Sequence, residues 1–193
     1  MALPKIRPDE KWSYRDYREW PDEERWELID GNAYDMSPAP SQRHQDIVLE
    51  LGRQFKNYLL DRMCKVFIAP FDVRFPEADE SGDDASNVVQ PDIFIVCDRK
   101  KLDGAGCVGA PDMVAEILSP STARKDIKEK FLLYERHGVK EYWIVDPESQ
   151  ITHVYTLGSD NRYGRPDIYS PDDKPTVGTL PELVINLSLL FRE

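Results

Sequence analysis

The chain has 193 residues, 40% of them hydrophobic, and a formal net charge of −11. That length suits one domain with one sizeable core, single domains commonly running ~100–200 residues. No apolar run approaches the ~18 residues of a bilayer span, and the opening MALPKIRPDE lacks the apolar block of a secretory signal, so a soluble, cytoplasmic protein without membrane partners is expected.

The negative charge works against broad attraction to nucleic acid, because Lys and Arg supply most non-specific affinity for phosphates. It leaves room for a local basic groove, since acids concentrate in Pro76 to Asp84 (PEADESGDD) and Pro171 to Asp173, which read as solvated loops. Cys64, Cys97 and Cys107 form an odd count without C-x-x-C spacing; they argue against a disulfide framework or a zinc site and are read as reduced.

Trp12 to Trp20 suits a short amphipathic helix ended by Pro21, and Trp26 to Met36, turning at Asp30-Gly31-Asn32, suggests a hairpin. Ser37-Pro38-Ala39-Pro40 breaks regular structure. From Ser41, Ile47, Leu51, Phe55, Tyr58 and Leu59 recur at helical spacing. Val66 to Phe75 reads as a bent strand interrupted at Pro70. Ile93 to Cys97 (IFIVC) and Met113 to Leu118 (MVAEIL) read as strands with both faces covered.

Ser119-Pro120-Ser121-Thr122 ends the second of these and offers N-caps to a helix that runs to about His137 and stops at Gly138. Glu141 to Val145 is another buried strand, and a strand–helix–strand crossover predicts that it lies parallel to Met113 to Leu118 in a mixed sheet. Short strands at Ile151 to Thr156, Asp167 to Ser170 and Leu183 to Leu187 follow, with a docking segment at Leu189 to Phe191.

Glu116 lies within an apolar strand, where an ionised carboxylate is costly unless paired or metal-bound. Asp92, opening Ile93 to Cys97, is the candidate partner, since neighbouring strands lie ~4.8 Å apart and their carboxylates can share one cation. Asp112 also follows a proline, but four residues of strand separate it from Glu116 by roughly 13 Å, too far for one ion. With Ile127, Phe131 and Tyr134 as the buried stripe of the next helix, Lys130 points inward better than Lys128 does. From spacing alone, an i,i+4 ion pair with Asp126 on the helix surface is the simpler account of Lys130. His44, His137 and His153 have no metal-ligand spacing. His44 opens the long helix and is a candidate for a cleft rim, and Glu50 on that helix is a possible further ligand or a solvated acid.

These residues resemble a known family. Glu27-Leu28-Ile29-Asp30-Gly31, Met36-Ser37-Pro38, His44, Pro91-Asp92, Glu116 to Ser121, Asp126…Lys130…Tyr134 and Gly138 to Pro147 are together similar to the Uma family of restriction endonucleases, in order over nearly the whole chain. The family is in turn similar to the PD-(D/E)XK nucleases. The resemblance implies an α/β (α+β), restriction-endonuclease-like mixed sheet flanked by helices, with added β-hairpins towards both ends. It implies one domain over 1–193: a helix and hairpin at about 12–40, a nuclease core at about 41–147 and a β-rich extension at about 148–193.

It further implies Mg²⁺, with Mn²⁺ as a substitute, held by Asp92 and Glu116; Lys130 as the catalytic ammonium; His44, Glu50, Asp126 and Tyr134 at the rim; a DNA substrate; and a homodimer. The sequence departs from the motif at Leu118, where a lysine normally stands two residues after the second acid, and Lys130 takes that role from the next element. A non-catalytic nuclease-fold binding module, or a nuclease acting on RNA or single strands, are the competing readings.

Overall fold

The structure is a computed structural model that describes residues 10–21, 25–36 and 39–192. Ser37 and Pro38 of the predicted break lie outside the described residues, as does the opening segment as far as Asp9. A one-turn helix, α1 (Tyr14–Tyr17), precedes the hairpin of β1 (Trp26–Ile29) and β2 (Asn32–Asp35), turned at Asp30-Gly31 with both residues at positive φ. Helix α2 (Gln42–Tyr58) starts where Ser41 Oγ accepts the His44 N–H, and it buries Ile47, Val48, Leu51 and Phe55 along one stripe.

The predicted strand over Val66 to Phe75 is divided. β3 (Lys65–Ile68) and β4 (Asp72–Arg74) belong to different sheets, and the chain passes between them through a cis Ala69–Pro70 bond. β5 (Val88–Val89), β6 (Ile93–Val96), β7 (Gly106–Val108), β8 (Met113–Ile117) and β9 (Glu141–Asp146) follow, the last preceded by helix α3 (Phe131–His137). Gly138, at φ 81°, closes α3 in the left-handed conformation that glycine adopts without a Cβ penalty. The chain ends through β10 (Ile151–Thr156), β11 (Asp167–Tyr169), β12 (Thr176–Val177), β13 (Leu180–Val184) and a 3₁₀ turn at Leu187–Leu189. The last predicted strand therefore starts at Leu180, and Leu187 belongs to the turn instead.

Six strands form the central sheet in the order β11-β10-β9-β8-β6-β3, with β8 and β9 parallel, as the crossover requires, and the other pairs antiparallel. Five more form a second sheet, β2-β1-β5-β4-β7, and β12 pairs with β13. Side chains alternate across the pleat. Ile93, Ile95, Met113, Ala115, Ile117, Trp143 and Val145 face α2 and the C-terminal segment. Phe94, Val96, Val114, Tyr142 and Ile144 point the other way, against Leu133 and Tyr134 of α3 and Ile29, Val73 and Val89 of the second sheet. By the same alternation Asp92 and Glu116 project between the two sheets.

Two sequence expectations are corrected here. Cys64 and Cys97 lie just outside the Lys65↔Val96 rung and are joined in a disulfide, which leaves only buried Cys107 free among the described residues. A separation of 33 residues gave no sign of that pairing. Ile127 is 52% exposed rather than buried. Lys125–Lys130 is a π-helical segment, whose wider turn carries Asp126 and Lys130 inward and leaves Ile127 outside.

Candidate active site

Asp92 and Glu116 meet where the β6–β8 ladder ends. Ile93 pairs with Ala115, so one residue further the two acids stand opposite each other. Each carboxylate takes a main-chain N–H of the other strand: Asp92 N–H donates to Glu116 Oε2 at 3.1 Å, and Ile117 N–H donates to Asp92 Oδ2 at 2.8 Å. His44 Nε2 lies 3.1 Å from that Asp92 oxygen. With the proton on Nε2 facing the carboxylate, His44 Nδ1 is left as a buried acceptor without a partner among the described residues.

Below the strands, Lys130 Nζ donates to Glu116 Oε1 at 2.8 Å and lies 2.8 Å from Glu27 Oε1 and 3.6 Å from Asp126 Oδ1. The Tyr134 hydroxyl donates to the same Glu116 oxygen at 2.7 Å. Glu27 is fully buried; its Oε1 also accepts the Gln90 N–H at 3.0 Å, and its Oε2 is 2.5 Å from Lys125 Nζ. Asp112 is held elsewhere, by Cys97 N–H and Lys140 Nζ at the opposite end of β8, away from this cluster.

Charge is unevenly shared within it. Burial pushes the Glu116 carboxyl up, to about 8, against the pull of Lys130. Burial also raises Asp126. Glu27 suffers the same burial but faces both Lys130 and Lys125, and the two ammonium groups bring it below the usual carboxylate range. Of the three acids that share Lys130, Glu27 therefore keeps its charge, while burial pushes Glu116 and Asp126 towards their protonated forms. Burial would lower Lys130, but Glu116, Glu27 and Asp126 outweigh it and hold the ammonium charged.

These groups border a cavity of about 460 Å³, which His44, Asp92, Glu116, Asp126 and Lys130 line. Arg25, Arg43 and Lys125 bring positive charge to its wall despite the acidic chain, and Ser119 to Thr122 close one side. Leu118 stands at the wall where the motif lysine would be. Tyr134, expected at the rim, does not border the cavity: it is fully buried behind Glu116, to which its hydroxyl donates. Glu50 does not belong here: it is tied to Arg53 Nε at 2.8 Å and Gln54 Nε2 at 3.0 Å, beside the C-terminal segment, and its place at the rim is corrected. Glu27 and Lys125 were missed as site residues. The signal for Glu27 was present, since it sits between Trp26 and Leu28 in an apolar strand just as Glu116 does between Ala115 and Ile117.

The residues present suit a hard divalent cation. Asp92, Glu116, Glu27 and Asp126 cluster around Lys125 and Lys130, and with all four carboxylates ionised they would outnumber the ammonium groups by two. Among the described residues, no three His, Cys, Asp or Glu side chains converge as a ready-made cage. Mg²⁺ needs only one or two carboxylates when water and phosphate complete its shell, and Asp92 and Glu116 are the residues that would supply them.

A mixed sheet with a carboxylate pair and a buried lysine in a cleft between sheets defines a protein of restriction-endonuclease-like fold. The sequence model of the Uma2 family, described as "Putative restriction endonuclease", matches residues 14–188, and the chain belongs to that family. It is 27% identical over 161 residues to the uncharacterized protein slr1290 of Synechocystis sp., covering 82% of this chain and 77% of that one. The crystal structure of a "putative nuclease belonging to DUF820" from Anabaena variabilis superposes with a TM-score of 0.72, over 93% of this chain and 97% of the other, at 22% identity. At that identity the likeness speaks for the fold. Among the described residues no helix is long and apolar enough to cross a membrane.

Proposed function

We propose that this chain is a Mg²⁺-dependent endonuclease that hydrolyses DNA phosphodiester bonds in the cavity of Asp92, Glu116 and Lys130, with Mn²⁺ able to substitute. The observation that carries the reading is the reciprocal hold of Asp92 and Glu116 across two strands, in a cluster where four carboxyl groups meet two ammonium groups. Asp92 and Glu116 would hold the ion, which when bound polarises a phosphoryl oxygen and lowers the pKa of bound water. Lys130 fixes Glu116 and contributes positive charge from the cavity wall, where low dielectric strengthens its effect on developing phosphoryl charge. Arg25, Arg43 and Lys125 orient the flanking phosphates. One site cuts one strand, so cleavage of both strands of a duplex calls for two copies of the chain.

The test is titration calorimetry of Mg²⁺ into the protein beside cleavage of supercoiled plasmid, single-stranded DNA and RNA. Micromolar to millimolar binding with metal-dependent nicking or linearisation of the plasmid is expected. Cleavage confined to RNA would move the substrate, and an absence of Mg²⁺ binding would leave a non-catalytic module, the reading that Leu118 favours.

Metal binding is expected to depend on pH through Glu116. Burial raises its folded-state carboxyl to about 8 from the ordinary 4.5, so the folded apoprotein carries an extra proton between those values. A ligand must be deprotonated, so Mg²⁺ expels that proton. Affinity should therefore rise as pH climbs towards about 8 and level off above it. Calorimetry at pH 7 in buffers of differing ionisation enthalpy should read proton release approaching one per ion; release near zero would remove Glu116 as a ligand.

A further inference from the structure

The catalytic cavity shares a wall with a second pocket. Arg25 and Gln90 border both, and beyond them lies a space of about 400 Å³ lined by Tyr17, Trp20, Trp26 and Asp72. The shared wall is rigidly hydrogen-bonded. Arg25 donates from Nε at 3.1 Å and Nη2 at 2.8 Å to Gln90 Oε1, and Gln90 Nε2 in turn donates to Asp72 Oδ1 at 3.0 Å and to the Tyr17 hydroxyl oxygen at 3.1 Å. That network fixes which end of the Gln90 amide faces each pocket. On the apolar side the Trp20 ring lies 5.8 Å from Tyr17 and 5.7 Å from Trp26, centroid to centroid.

The Gln90 amide is taken up by Arg25, Tyr17 and Asp72, and it holds the Asp72 carboxyl through Oδ1; three aromatic rings and that carboxyl suit a ligand that is flat, has π-faces and carries donors on its edge. A phosphate would meet the Asp72 carboxyl while the two lining arginines are engaged, Arg25 by Gln90 and Arg18 by Asp83 and the Tyr14 ring, and an aliphatic chain would desolvate the polar strip without return. A nucleobase meets both requirements, and the pocket adjoins the cavity through the shared Arg25 and Gln90, on the side where a strand entering that cavity would continue.

We propose that this pocket receives an unstacked nucleobase of the strand being cut, so that the substrate class is nucleic acid with at least one unpaired or extruded nucleotide. The inference rests on the nuclease reading and narrows its substrate. Burial raises the Asp72 carboxyl, which suits a group meant to meet a base edge out of water.

The experiment compares equilibrium binding, in EDTA so that no strand is cut, of a short single-stranded DNA and of the same strand carrying consecutive abasic sites. The phosphates are identical; only the bases differ. The intact strand is expected to bind about 10-fold tighter or more, the worth of a stacked base. Trp20→Leu and Asp72→Asn should lose that preference while binding the abasic strand as the wild type does. If Trp20→Leu loses its native circular dichroism, Asp72→Asn decides alone. Equal affinity for the two strands, no binding of either, or a preference retained in Asp72→Asn overturns the proposal. Base-dependent binding without metal-dependent cleavage would sink the nuclease reading and leave the base site standing; cleavage without base dependence would do the reverse.

Discussion

Asp92→Ala is expected to abolish Mg²⁺-dependent cleavage, by about 1,000-fold or more, while the protein stays folded. The variant removes one of two carboxylates that would hold the ion, and the neighbouring acids are committed elsewhere, Glu27 to Lys125 and Lys130 and Asp126 beside Lys130. His44 is positioned by Asp92 rather than independent of it, and Glu50 is engaged by Arg53 and Gln54 elsewhere on α2. The structural cost is modest by comparison. Ile117 N–H loses its acceptor, a penalty of about 1–3 kcal/mol, against total stabilities of roughly 5–15 kcal/mol. Plasmid cleavage and Mg²⁺ calorimetry on the variant, beside circular dichroism, make the check, with Glu50→Ala as the control that should cut at the wild-type rate. Cleavage by Asp92→Ala within tenfold of wild type would remove this site from the chemistry.

The acids at the end of the β6–β8 ladder were legible because physics makes a carboxylate in an apolar strand conspicuous: Glu116 has to find a partner, and a strand spacing of ~4.8 Å limits where that partner lies. The parallel β8–β9 pair was legible for a related reason, since a crossover helix allows few alternatives. What sequence periodicity misjudged was the helix after β8. At 3.6 residues per turn Ile127 belongs on the buried stripe, but the π-helical turn over Lys125–Lys130 shifts the face, and no residue in KDIKEK advertises that wider winding. The passage of the chain from one sheet to the other at Pro70 was likewise hidden, because alternation in Val66 to Phe75 is equally good on either sheet. The Cys64–Cys97 bond depends on the register of β3 against β6, a long-range property that cysteine spacing does not carry. Glu27 was equally legible, since it too is a carboxylate within an apolar strand and burial demands a partner for it as it does for Glu116.

Lys130→Met is expected to destabilise the protein by about 3–5 kcal/mol, the usual cost of removing one partner from a buried ionic cluster. Lys130 is 3% exposed and its ammonium lies between Glu116 and Glu27, with Asp126 behind. Methionine fills much of the same volume, so the effect reports the lost charge rather than a cavity. Glu27 keeps Lys125, whereas Glu116 is left with the Tyr134 hydroxyl and the Asp92 N–H and should be driven further towards its protonated form. At roughly 2–4 °C per kcal/mol for a chain of this size, the loss appears as a fall in melting temperature of about 10 °C. Adding Glu116→Gln to Lys130→Met should recover part of it, because the amide needs no counter-ion. A double-mutant cycle by urea unfolding measures the coupling between the two side chains, expected to lie within about 1–3 kcal/mol. A Lys130→Met variant within about 1 kcal/mol of wild type would mean that the ammonium does not hold this cluster together, and that Lys130 is free to act on the substrate alone.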